Sequence, residues 1–189
     1  MTEQELLVDC LRRLNRAGVD YMLTGSMASN YWGIPRTTHD LDFVVQIALE
    51  SIGRLVEEFQ GDFSLDEQAV RDALQPPHQF NAIDSRSGLK VDFWLLRSSR
   101  SFDCEMFWRR TRVILFGEPA FIATPEDLIL HKLCWNQQTP SERQLGDAAG
   151  IVAVQTGLEL DYLRRWGQWL HVDAELEALL AGKIRPKRT

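Results

Sequence analysis

Two segments place acids inside runs that are otherwise apolar, β-branched or aromatic. They are Asp40-Leu41-Asp42-Phe43-Val44-Val45 and Lys90-Val91-Asp92-Phe93-Trp94-Leu95-Leu96. Both read as strands, over residues 39–46 and 90–96. Residues two apart in a strand point to one face. Asp40 and Asp42 therefore project together, while Leu41, Phe43 and Val45 enter the core. Neighbouring carboxylates repel, and a lone carboxylate among apolar neighbours is expensive. The chain must build a sheet in which these acids are answered by opposite charge.

The rest of the chain supplies the elements around such a sheet. Thr2 and Glu5 form a capping box ahead of the stripe Leu6, Leu7, Cys10, Leu11 and Leu14, and Gly18 stops that helix. A short strand over 21–24 breaks at Gly25-Ser26, and one or two helical turns follow over 27–32. An amphipathic helix over 49–60 ends at Gly61, and a shorter one covers 66–74. Residues 79–83 and 90–96 pair as a hairpin across the turn 84–88. A helix over 102–109 and strands over 111–116 and 120–122 complete this part. From Thr124, an N-cap followed by Pro125, the pattern turns helical. Helices are expected to about residue 135, from Ser141 to about 154, and over 161–170 and 174–180. The fold class is α/β (α+β), a small mixed sheet flanked by helices with a C-terminal helical extension. The expected division is a core over 1–123, a helical part over 124–182 and a basic, flexible tail over 183–189.

Gly25-Ser26 lies between a strand and a helix start. Backbone N–H groups point outward there and the helix dipole favours an anion. Gly25 allows close approach of a phosphate, and the Ser26 hydroxyl can donate to it. Alone, this pair is an ordinary turn, a single Asp-x-Asp is a solvated strand edge, and Asp92 is an edge charge against aggregation. Together they describe an oxygen-rich site. If the two strands are neighbours, Asp40, Asp42 and Asp92 converge. Mg²⁺ (or Mn²⁺) suits such ligands, because hard cations take carboxylate and phosphate oxygens. Three converging carboxylates can hold two ions roughly 4 Å apart, the arrangement for in-line displacement at phosphorus.

In these residues the sequence resembles the DNA polymerase β-like nucleotidyltransferase superfamily. Gly25-Ser26, Asp40-Leu41-Asp42 and Asp92 match its signature in order. It resembles more narrowly the small bacterial and archaeal members that include abortive-infection and toxin–antitoxin nucleotidyltransferases. Thr124-Pro125-Glu126-Asp127-Leu128-Ile129-Leu130-His131-Lys132-Leu133 is similar to their lysine-bearing helix, and Ser141-Glu142-Arg143-Gln144-Leu145-Gly146-Asp147 to a later motif. Gly146 stands where that motif has a basic residue, with Arg143 one turn earlier. The resemblance covers about residues 20–150 and implies a nucleotidyltransferase-type sheet. It implies that Asp40 and Asp42 bind metals, and that Asp92 binds one and activates an acceptor hydroxyl. Gly25 and Ser26 would hold the triphosphate with Lys132, and Asp147 would bind nucleotide or position Lys132.

The expected activity is transfer of a nucleoside monophosphate from an NTP to a hydroxyl, with release of pyrophosphate. The acceptor is open between an RNA end, a protein side chain and a small molecule. Two other readings are a nucleotide-binding module, such as one half of a toxin–antitoxin pair, and a two-metal phosphohydrolase. A net charge of -6 disfavours nonspecific nucleic-acid binding. Cys10, Cys104 and Cys134 are odd in number and scattered, which fits a reducing cytoplasm. The polar N-terminus is unlike a signal peptide, and no apolar run reaches the ~18 residues of a membrane span. Arg36 either meets a phosphate or pairs with an acid. Lys132 borders an apolar stripe, where a lysine also snorkels. His39 and His131 read as structural, and Trp166 and Trp169 as helix packing.

Overall fold

The computed structural model describes residues 1–186; the end of the expected basic tail, from Lys187, lies outside the described residues. The chain divides into two compact units. The first takes Met1–Gly25 and His39–Ile122, and the second takes Ser26–Thr38 and the chain from Ala123 on.

The first unit opens with α1 (Glu3–Ala17), where Thr2 and Glu5 form the expected capping box and Gly18, at φ 66°, caps the C-terminus. The strands are β1 (Asp20–Thr24), β2 (Leu41–Gln46), β3 (Phe63–Ser64), β4 (Gln79–Asp84), β5 (Lys90–Leu95), β6 (Thr111–Leu115) and β7 (Glu118–Ile122). They form one mixed sheet in the order β3-β4-β5-β2-β1-β7-β6. β2 runs antiparallel to β1 and parallel to β5, and β4 and β5 form the expected hairpin. β1 pairs in parallel with β7, which forms a hairpin with β6. α2 (Gly25–Trp32) begins at the last residue of the unit's first segment, and α3 (Ile52–Phe59), α4 (Glu67–Asp72) and α5 (Ser101–Arg109) lie within the unit.

One face of the sheet is apolar for the reason the alternation predicts. Leu41, Phe43 and Val45 on β2 and Val91, Phe93 and Leu95 on β5 are buried. Phe43 and Phe80 stack on Phe93 with ring centroids 5.7 and 4.9 Å away, and Phe59 of α3 meets Phe93 edge-on at 5.7 Å. Several boundaries differ from expectation, among them the starts of β2 and α3 and the end of α6 at Gln138. β2 begins at Leu41, because β1 ends at the pair Thr24–Asp42 and the ladder has no β1 partner for residues 39 and 40. Ala48 gives no side-chain cap, so residues 49–51 wind as a 3₁₀ turn before α3.

The second unit contains α6 (Pro125–Gln138), α7 (Glu142–Val154), α8 (Leu160–Trp169) and α9 (Asp173–Leu180). The Thr124 and Ser141 side chains cap α6 and α7 by accepting from Asp127 N and Gln144 N. Ser26–Thr38 joins this unit through close backbone packing. A Cβ on Gly33 would lie 2.8 Å from the Ile151 nitrogen of α7. Trp32 Nε1 donates to the Ala123 carbonyl at 2.9 Å, and Gln155 Nε2 donates to the Trp32 carbonyl at 2.5 Å. No helix among the described residues is long and apolar enough to cross a membrane.

Candidate functional site

β2 and β5 are direct neighbours, and their register sets Asp42 opposite Asp92. The same row continues to Thr24 on β1 and Asn81 on β4. Directly opposed residues point to one side of a sheet. Asp42 and Asp92 therefore share the face opposite the aromatic core. Asp40 is exposed and sits in the loop one residue before β2.

The acid on β5 has the partner its apolar surroundings require. Lys90 Nζ lies 2.8 Å from Asp92 Oδ2, and Gln79 Nε2 donates to Asp92 Oδ1 at 3.4 Å. The Lys90 pKa is raised, first by its hydrogen bond to Asp92, against partial burial, and then by the charges of Asp92, Asp40 and Asp42. All three acids therefore act on one ammonium.

Gly25 is held by two constraints. Its φ is +64°, and a Cβ there would lie 2.1 Å from Asp42 Oδ2. Glycine thus lets the Asp42 carboxylate lie against the turn that starts α2.

In the helical unit, Lys132 Nζ lies 2.8 Å from Asp147 Oδ2. Both side chains are nearly sealed, at 5% and 6% exposure. This lysine is ion-paired in the interior instead of snorkelling. Arg36 grips the same carboxylate twice, Nε to Oδ1 at 2.7 Å and Nη2 to Oδ2 at 3.0 Å. Arg36 Nη2 also donates to Ser26 Oγ at 2.7 Å. The arginine's open choice between phosphate and acid resolves to an acid in this structure. Burial would raise the Asp147 pKa, but the Arg36 hydrogen bonds and the charge and hydrogen bond of Lys132 outweigh it and hold it below the usual carboxylate range.

The sequence matches no family model and no curated protein. Solved structures do match. An antigenic nucleotidyltransferase-like protein from Paracoccidioides brasiliensis superposes with a TM-score of 0.56 at 16% identity, over 98% of this chain and 94% of that one. The solution structure of the antibiotic-resistance factor ANT(2'')-Ia gives 0.56 at 12% identity, over 92% and 95%. ANT(2'')-Ia in complex with adenylyl-2''-tobramycin gives 0.50 at 14% identity, over 96% and 97%. The chain has the nucleotidyltransferase fold.

On this fold, the carboxylate row fits a hard divalent cation in kind. Its donors are carboxylate oxygens, which Mg²⁺ and Mn²⁺ prefer, and Lys90 already stands as a positive charge against Asp92. Among the described residues, no group of three or more His, Cys, Asp or Glu is placed to hold a metal ion. Asp42 and Asp92 are adjacent in register; Asp40 is carried by the exposed loop.

The structure thus joins Asp42 with Asp92 and Gly25, and Lys132 with Asp147, Arg36 and Ser26. His39 pairs with Glu3, and His131 Nε2 accepts from Trp135 Nε1 at 3.0 Å. Sequence reasoning assigned no role to Lys90 and left Arg36 undecided. The Lys90 signal was present, since it lies two residues before Asp92 on the same strand face. The Arg36–Asp147 pairing spans 111 residues and has no local signal.

Proposed function

We propose that this chain is a metal-dependent nucleotidyltransferase that moves a nucleoside monophosphate from an NTP to a hydroxyl acceptor and releases pyrophosphate. The observation that supports it best is the pairing of Asp42 with Asp92 on adjacent strands, against the Gly25 turn. Asp40, Asp42 and Asp92 are the residues to hold Mg²⁺ (or Mn²⁺), which when bound neutralises the triphosphate and acidifies the acceptor hydroxyl. Asp92 takes the acceptor proton as the new oxygen–phosphorus bond forms and the bond to pyrophosphate breaks. Gly25, Ser26 and Lys132 bind the triphosphate. Asp147 orients Lys132, and Arg36 fixes Asp147 in turn. The adenylyl-tobramycin complex of ANT(2'')-Ia makes small-molecule hydroxyls the first acceptors to test, ahead of RNA 3′ ends and protein side chains.

A second reading is nucleotide binding without turnover, as in one partner of a toxin–antitoxin pair. The Lys90–Asp92 ion pair favours it, because it ties up the residue assigned as base. The experiment incubates the protein with each α-labelled NTP, Mg²⁺ and a cell extract. Labelled adduct plus pyrophosphate, lost in Asp42→Asn, supports transfer. Nucleotide binding without either product supports the second reading, and absence of binding at millimolar NTP refutes both.

A further inference from the structure

The sheet face that carries Asp42 and Asp92 holds a polar group with nothing to bond. Thr24 ends β1 and is the register partner of Asp42, so its side chain stands on that face beside the carboxylate. The residue is 4% exposed, and its Oγ1 is buried without a hydrogen-bond partner among the described residues. An unsatisfied buried hydroxyl is destabilising and rare in native proteins. A threonine kept there against that cost points to an atom it meets in the working state.

The surroundings identify that atom by its chemistry. Asp42 and Asp92 accept hydrogen bonds and donate none, and the Thr24 hydroxyl beside Asp42 is a buried donor without an acceptor. Thr24 directly precedes Gly25, where α2 begins. The amino end of a helix favours an anion. An oxygen that is both anionic and adjacent to metal-binding carboxylates belongs to a phosphate. We propose that Thr24 Oγ1 donates a hydrogen bond to a phosphate oxygen of the bound nucleotide, a contact that rests on the nucleotidyltransferase reading above.

The test is calorimetric titration of wild type, Thr24→Val and Thr24→Ser with the α,β-methylene analogues of ATP, GTP, CTP and UTP in Mg²⁺, alongside thermal melts. Valine keeps the shape and removes the hydroxyl. Its expected signature is a pair of opposite effects, nucleotide affinity down about tenfold and melting temperature equal to or above wild type. Serine is expected to bind within about threefold of wild type. Equal affinity of valine and wild type overturns the proposal, as does a serine variant as weak as valine. If Thr24→Val does not fold, Thr24→Ala against Thr24→Ser decides, and equal affinity of those two overturns it. Wild type that binds no analogue removes the functional reading and this contact together, whereas binding unaffected by Thr24→Val removes this contact alone.

Discussion

Three carboxylates at the sheet share one ammonium, whereas in the helical unit one carboxylate is shared by two cations. Asp40, Asp42 and Asp92 all act on Lys90, and the Asp92 side chain keeps 13% of its surface exposed. Asp147 is closed in by Lys132 and Arg36. The Lys90–Asp92 pair is partly open to solvent, whereas the Lys132–Asp147 pair is nearly sealed. A sealed pair is costly to break, because it leaves an uncompensated buried charge. Pairing state therefore says more about these residues than residue type does.

The largest effect that tests this contrast is Asp92→Asn. The amide keeps the shape and removes the negative charge. The rate of transfer is expected to fall roughly a thousandfold, the scale of several kcal/mol of lost transition-state stabilisation. The melting temperature should hold or rise, since one of two neighbouring like charges is gone. Product formation and a thermal melt measure both. Activity within tenfold of wild type would make the carboxylate row structural and erase the contrast.

Asp147→Asn probes the other side. It leaves Lys132 and Arg36 without their carboxylate, and the folded state should lose about 3 kcal/mol in urea denaturation. The pH dependence has a definite sign. The folded-state pKa of Asp147 lies below its ordinary value. Its contribution is thus fully present above the usual carboxylate range, about pH 4, and is lost as pH falls through the depressed folded value. The stability gap between wild type and variant should be constant near neutrality and close in acid. A gap that widens in acid would mean that Asp147 is not the charged partner of the pair.

These two clusters were not equally legible in the sequence. Period-two alternation announces Leu41, Phe43, Val91 and Phe93 as buried, and by the same rule puts Asp42 and Asp92 on the other face. The hairpin turn announces β4 with β5. That β5 then lies parallel to β2 is a long-range choice that no local period encodes, yet the two acids need it to meet. Arg36 with Asp147 is harder still, because the loop bearing Arg36 is fastened to the helical unit by Trp32, Gly33 and Gln155. Helix caps at Thr2, Thr124 and Ser141 were readable because a cap is settled within four residues. The two-residue β3 offers too few positions for any period to show.

The smallest effect should come from Lys90→Met, and it separates the two meanings of the Lys90–Asp92 pair. If Lys90 only balances charge, removing it takes away an ammonium on which Asp92, Asp40 and Asp42 all act, and they attract a divalent ion more strongly. Mn²⁺ affinity without nucleotide, followed by electron paramagnetic resonance, should then rise severalfold. The change is modest because the lysine side chain is 51% exposed and solvent screens it. Fold stability should barely move, for the same reason. If Lys90 is instead part of the binding machinery, Mn²⁺ affinity stays level while nucleotide affinity drops. That outcome would place a positive phosphate contact within the acidic cluster.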